Sequence, residues 1–123
     1  LLFQIFQPDF EFEDNRGKIT QLVREGYRQV NVITSHAGAL RGKHYHKLNN
    51  EAFFFPYGRC RVTVEDREGH TETKIFGAGE MFRIGPYVMH SFEYLEETMV
   101  VSMYDKGVEL DGGKMDSYTE FGD

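Results

Sequence analysis

The chain has 123 residues, a length that supports one hydrophobic core and falls short of two. Its formal charge of −6 excludes the clustered Lys and Arg on which phosphate-backbone binding depends, so no nucleic-acid partner is expected. Cys60 is the single cysteine, which excludes an intramolecular disulfide and fits a reducing cytoplasm; no apolar run approaches the roughly 20 residues that span a bilayer, so no membrane partner is expected either.

No signal peptide is visible, and a chain that starts at Leu1 rather than Met leaves room for an N-terminal piece of a few residues or a whole domain. Eleven Phe and seven Tyr without a Trp, in short runs punctuated by thirteen Gly, predict an all-β domain of many short strands. Residues 1–13, LLFQIFQPDFEFE, place Phe3 with Ile5 and Phe10 with Phe12 on either side of Pro8. That pattern predicts two short edge strands or an arm, packed on a partner subunit or closing its own core. A turn at 14–17 leads into a strand at 18–23, and Glu25-Gly26 breaks it. Over 29–34, Val30 and Val32 alternate with Gln29, Asn31 and Ile33. Over 59–65, Cys60, Val62 and Val64 alternate with Arg61, Thr63 and Glu65, the cleanest half-buried strand of the chain. A turn at 66–69 makes 70–76 its hairpin return, and strands at 81–84, 90–94 and 99–104 follow. Residues 105–123 form a polar, glycine-containing C-terminal tail. Eight or so strands joined as paired hairpins predict a sandwich or barrel.

The chemistry concentrates in residues 38–58, GALRGKHYHKLNNEAFFFPYG. In a strand, positions two apart share a face, so His44 and His46 project together. A break at 48–50 turns the chain and brings Glu51 alongside on the neighbouring strand, where Phe53 and Phe55 share its parity. Two imidazoles and a carboxylate converging on one point suit a divalent transition metal. His36 and His70, isolated from this cluster, are read as ordinary surface or core residues.

Gly38, His44, His46, Glu51 and Gly58, separated by five, one, four and six residues, resemble the first signature motif of the cupin superfamily with every position filled. The second cupin motif is partly matched. Gly79 and His90 fall in register, while Gly85 stands where cupins favour proline, Tyr87 where a glycine is usual and Tyr94 in place of an asparagine. The resemblance implies a single-domain cupin double-stranded β-helix, or jelly-roll barrel, over 1–123. It also implies that His44, His46, Glu51 and His90 ligate one divalent metal, with Zn, Mn, Fe and Ni unresolved by the donor set. Within the motif, Arg41-Gly42-Lys43-His44-Tyr45-His46 resembles the Arg-Gly-x-His-x-His/Gln signature of cupins acting on nucleotide-linked keto-sugars. These include 3,4-ketoisomerases, 3,5-epimerases and the cupin domain of capsular-polysaccharide enzymes. Asp14-x-Arg16-Gly17, Gln29-x-Asn31, Tyr104-Asp105 and Asp116-Ser117-Tyr118 are similar to segments flanking the motif in that group. Glu51 is usually absent from the 3,4-ketoisomerases, and 3,5-epimerases are longer chains, so the resemblance tilts toward the metal-binding capsule-type cupins.

What the resemblance implies is isomerisation or epimerisation of a carbohydrate such as a nucleotide-linked keto-sugar, through an enediolate whose charge a divalent ion stabilises. Arg41, Gln29 and Asn31 are the expected substrate-binding residues, although simple alternation sets Arg41 opposite His44 unless the strand kinks at Gly42. Imidazoles engaged by a metal cannot move protons, so Tyr94 and Tyr104 are the candidate proton carriers; in a metal-free site His44 or His46 takes that part. A homodimer joined through edge strands is expected. Two other classes stay open: a mononuclear dioxygenase using iron or manganese, and a non-catalytic metal- or sugar-binding module.

Overall fold

The computed structural model describes residues 1–121. Its strands are β1 (Gln4–Ile5), β2 (Phe10–Asp14), β3 (Gly17–Gln21), β4 (Gln29–Ser35), β5 (Leu40–His44), β6 (Glu51–Tyr57), β7 (Arg59–Glu65), β8 (Thr71–Gly77), β9 (Met81–Ile84), β10 (Met89–Tyr94) and β11 (Thr98–Tyr104). A five-stranded sheet in the order β1-β9-β6-β11-β4 faces a four-stranded sheet in the order β5-β10-β7-β8, and β2 and β3 pair as a separate hairpin. Every pairing is antiparallel. This is the expected all-β cupin barrel.

One core fills the space between the sheets. From the five-stranded sheet it takes Phe53, Phe55, Phe82, Ile84 and Val100; from the other it takes Cys60, Val62, Val64, Phe76, Phe92 and Tyr94. The period-two pattern of β7 accounts for its share, since Cys60, Val62 and Val64 are wholly buried while their neighbours lean outward. Phe82 anchors a ring stack, 4.3 Å from Phe76 and 4.8 Å from Phe53 between centroids. A second apolar layer lies on the outer side of the five-stranded sheet, where Phe6, Leu22, Val23 and Tyr27 cover Ala52, Phe54, Met81 and Met103. Pro8 separates β1 from β2 as the sequence predicts: β1 adds to β9 at the sheet edge, and β2 pairs with β3.

Two backbone positions hold the barrel's corners. At the glycine position of the second cupin motif stands Tyr87, with φ of 63°. The left-handed conformation has been kept without the glycine, at a cost of about 1–2 kcal/mol. Its N–H donates to His46 O at 2.7 Å, and its ring lies between Tyr45 (5.8 Å) and the guanidinium of Arg67 (3.9 Å), contacts that offset the strain. Gly58 turns β6 into β7 with φ of +98°, and a Cβ there would sit 2.5 Å from Thr98 Cα and 2.6 Å from Glu97 O. Both partners are backbone and cannot swing away. Gly58→Ala is therefore expected to cost roughly 3 kcal/mol or more. Urea unfolding measures this directly, and a loss below 1 kcal/mol would contradict the close approach.

Candidate functional site

The site is assembled where the two sheets meet. Glu51 opens β6, between Ile84 of β9 and Tyr104 of β11, in the five-stranded sheet. His44 closes β5 and lies opposite His90 of β10 in the four-stranded sheet. His46 follows two residues after β5, beyond Tyr45, which bridges to Tyr118. The sheets thus each bring donors to one point, as the spacing from Gly38 to Gly58 predicts.

The kink required by Arg41 is present. The β5–β10 register shifts between His90 and Ser91, so that His90 lies opposite His44 while Phe92 lies opposite Arg41. This bulge changes the parity within β5 and brings Arg41, exposed at the mouth, onto the same cavity as the half-buried His44. Gly42, at φ +89°, makes it feasible: a Cβ there would stand 2.6 Å from His90 O. Arg41 is held by Nε donating to Ser35 Oγ at 2.8 Å and Nη2 donating to Thr34 O at 3.2 Å.

His44 Nε2 and His90 Nε2 are 3.2 Å apart, His46 Nε2 is 3.0 Å from Glu51 Oε1, and His90 Nε2 is 3.4 Å from the same oxygen. Donors about 2.1 Å from a shared ion are separated by about 3.0 Å at right angles and about 3.4 Å at tetrahedral angles. These three spacings match that range, and His44, His46 and His90, whose nitrogens lie within 4.8 Å of one another with Glu51 beside two of them, fit a divalent ion. The far sides of the donors are also fixed. His46 Nδ1 donates to Asp116 O at 2.5 Å, His90 Nδ1 donates to Val88 O at 3.1 Å, and Ser102 Oγ donates to Glu51 Oε2. Each bond leaves the opposite atom aimed at the common point.

A cavity of about 80 Å³ opens over these donors, lined by His44, Glu51 and His90 together with Arg41, Tyr94 and Tyr104. The Tyr104 ring meets His46 edge-on, 5.2 Å between centroids, and Tyr104 lines the same cavity as Glu51. Tyr94 is buried beside Ser35 and Arg41. Gln29 and Asn31 are not among the lining residues. Gln29 Oε1 accepts the N–H of Val108 at 2.9 Å, and Asn31 is exposed on the edge strand β4. Ser102 and Asn49 escaped the sequence reading, and Asp116 entered it only as part of a segment similar to one flanking the motif, without its role. Ser102 shares parity with Tyr104 and was findable on that ground; the other two act across long sequence separations that no spacing reveals. A second group of ligand-type side chains, Asp66, Glu68 and His70, lies partly or fully exposed. Asp66 Oδ1 there accepts the Glu68 and His70 N–H groups, which forms the β7–β8 turn.

Burial sets the electrostatics. It pushes Glu51 upward, but the His46 hydrogen bond, the charges of His90 and His46 and the Ser102 hydroxyl outweigh it and hold the carboxyl below its ordinary value. Burial likewise pulls His46 down, and Glu51 with the Asp116 carbonyl more than reverses that, leaving it raised. His44 is lowered by burial and by the neighbouring His46, and His90 is pushed down to about 4, chiefly by burial. Burial also raises Tyr94, to about 12, and raises Tyr104 further, with Glu51 adding to the effect. Both phenols are protonated at neutral pH.

These shifts carry a pH dependence. Unfolded His90 takes up its proton near 6.5, and folded His90 near 4. Between those values the unfolded chain binds more protons, so the metal-free protein loses up to about 3 kcal/mol as pH falls through that window. Raised His46 acts oppositely, its contribution being full below pH 6.5 and lost as pH rises through its folded value. Urea unfolding in chelator should therefore give a slope between pH 6.5 and 4 that His90→Gln flattens. Equal slopes in both proteins would contradict the burial of a neutral His90.

The polysaccharide biosynthesis C-terminal domain family matches residues 12–117. The spore coat polysaccharide biosynthesis protein SpsL of Bacillus subtilis is 30% identical, over 74% of this chain and 70% of its own. Among solved structures, the sugar 3,4-ketoisomerase QdtA of Thermoanaerobacterium thermosaccharolyticum, solved with TDP, superposes with a TM-score of 0.79 at 15% identity, over 98% of this chain and 89% of its own. The dTDP-4-dehydrorhamnose 3,5-epimerase of Sulfolobus tokodaii does so with a TM-score of 0.71 at 22% identity, over 85% and 75%. The chain has the fold of these sugar-nucleotide cupins, and it belongs to the polysaccharide biosynthesis C-terminal domain family.

Proposed function

We propose that the protein is a metal-dependent isomerase or epimerase acting on a nucleotide-linked keto-sugar destined for a polysaccharide. The observation that carries this reading is the convergence of the His44, His46 and His90 ring nitrogens within 4.8 Å of one another, with Glu51 Oε1 3.0 Å from His46 and 3.4 Å from His90, beneath a cavity edged by phenols and a guanidinium. The family and SpsL support the polysaccharide setting, and the keto-sugar enzymes among the fold relatives support the substrate class.

In this reading the four side chains would hold one divalent transition ion, which would supply Lewis-acid stabilisation of the negative charge that develops when a base takes a proton from the carbon beside a carbonyl. The cavity, at about 80 Å³, is smaller than the roughly 300–1,000 Å³ of sites that enclose a whole drug-sized ligand. Only the reacting edge of a sugar ring enters, and the nucleotide lies outside. Arg41 sits at the boundary, fixed through Nε and Nη2, and offers its remaining N–H groups to a substrate oxygen or phosphate. Tyr104, protonated and beside Glu51, is placed to return a proton to the ring, and Tyr94 is the second phenol facing the cavity. A raised phenol pKa suits proton donation and opposes service as a base.

The active form we infer is a homodimer. The β2–β3 hairpin pairs with no other strand and turns Phe10, Phe12 and Ile19 to one face, exposed by 46–63%, while the outer side of edge strand β4 exposes Val30 and Val32. An isolated two-stranded hairpin is marginal in water, and a second copy would cover both patches at once. Ile19→Glu should convert the dimer to a monomer in sedimentation experiments; an unaltered protein already monomeric would contradict it.

For the activity, the purified protein is expected to retain close to one divalent ion per chain, and Glu51→Gln is expected to lose it. With a keto-sugar nucleotide in deuterium oxide, label should enter beside the carbonyl, and Tyr104→Phe should slow the reaction by about 10²–10⁴-fold. A metal-loaded protein that exchanges no proton with any keto-sugar nucleotide is a binding module instead. Oxygen uptake would identify a dioxygenase.

A further inference from the structure

We propose that Asp116 is a positioning residue for the metal centre, its carboxylate fixing the loop that joins His46 to Glu51 and its carbonyl fixing the ring of His46. This rests on the metal reading above. His46 and Glu51 are separated by residues 47–50, a stretch outside any strand, so its N–H groups have no sheet partner. One carboxylate, 69 residues away from Lys47 in sequence, takes the N–H groups of residues 47–49, while Asp105 takes that of Asn50: Asp116 Oδ1 accepts Lys47 N–H at 2.8 Å. Asp116 Oδ2 accepts the N–H of Leu48 at 3.0 Å, the N–H of Asn49 at 3.2 Å and the Asn49 side-chain amide at 2.8 Å. Asp116 is 0% exposed. A buried charge receiving four donors is a strong and directional anchor, because no water competes for it.

The same residue reaches His46 by a second route. Its backbone carbonyl accepts from His46 Nδ1, which fixes the ring plane and leaves Nε2 toward Glu51. The peptide strand around it is held from both sides, with Asp116 N–H on Val108 O at 2.7 Å and Tyr118 paired with Tyr45 at 2.9 and 3.0 Å. His46, one of the four proposed donors and the one outside any strand, therefore takes both its ring plane and the course of its loop from one residue of the C-terminal segment. The segment and the ion favour each other reciprocally: whatever docks residues 105–118 tightens the metal site, and metal docks the segment.

Zinc affinity by competition with a chromogenic chelator, and the visible spectrum of the cobalt-substituted protein, test the role together. Partners that orient ligands are worth about 10–100-fold in metal affinity, and Asp116→Ala is expected to lose that much with shifted cobalt bands. Asp116→Asn retains an acceptor oxygen and the backbone carbonyl, and should show an intermediate loss; it carries the test if the alanine variant does not fold. Met81→Ala, in the outer apolar layer away from the donors, controls for general destabilisation and should lower the melting temperature while leaving affinity and spectrum unchanged. Metal should also slow proteolysis between residues 105 and 115 in the unaltered protein. Asp116 variants that bind zinc within twofold of an unaltered protein that does bind it overturn this inference alone. An unaltered protein that takes up neither zinc nor cobalt overturns both this inference and the metal reading.

Discussion

A carboxylate with 2% of its surface exposed cannot rely on water to solvate its charge, and much of the barrel's interior is arranged around Glu51 for that reason. Ser102 satisfies one oxygen, while His46 and His90 crowd the other at 3.0 and 3.4 Å. In the bare protein the cluster resolves its charge internally, with His46 raised, His90 lowered and Glu51 ionised. That arrangement is tolerable but strained in electrostatic terms, because three imidazoles compete for one anion. A dipositive ion removes the competition, since it replaces a shared proton with a charge that all four donors can face. The same geometry that makes Glu51 costly to bury makes the point between the four side chains favourable for a cation.

The fold supplies what this constraint needs. His44 and His90 come from one sheet and Glu51 from the other, so the donors meet only if the sheets pack in a fixed relation. The stack of Phe53, Phe76 and Phe82 and the wholly buried Val62 and Val64 hold that relation from inside the barrel. His46 lies outside any strand, and its placement comes from the C-terminal segment. Asn49 and Asn50 extend the same attachment: Asn49 Oδ1 accepts the N–H groups of Lys106 and Gly107, and Asp105 accepts both the N–H and the side-chain amide of Asn50. The polar tail of the sequence is thereby a strap that closes the end of the barrel carrying His46 and Glu51.

Much of this was legible in the residues themselves. Period-two alternation located β7 to the residue, because in strands spacing and facing are the same statement. The spacing of His44, His46 and Glu51 predicted their meeting, although His46 lies beyond the end of β5 and is turned in by Asp116 rather than by strand parity. Arg41 shows where that equivalence ends. Alternation sets it opposite His44, and only a bulge, invisible to a parity argument, brings it to the edge of the same cavity. Gly42 was the one local sign. Tyr87 illustrates the reverse case: the residue departs from the cupin pattern while the backbone keeps the conformation that pattern specifies. Asp116 could not be read as an anchor at all, since its partners lie 67–69 positions away and a polar residue in a polar tail carries no periodic signal.

The central claim is that the four donors close around a single ion. Diffraction from crystals of the protein as purified, recorded on both sides of the absorption edge of the metal it retains, addresses this without any assay. One anomalous peak about 2.0–2.2 Å from His44 Nε2, His46 Nε2, His90 Nε2 and Glu51 Oε1 is the predicted result. No peak there in metal-replete crystals, with the imidazoles and Glu51 bonded only to one another, would contradict the account.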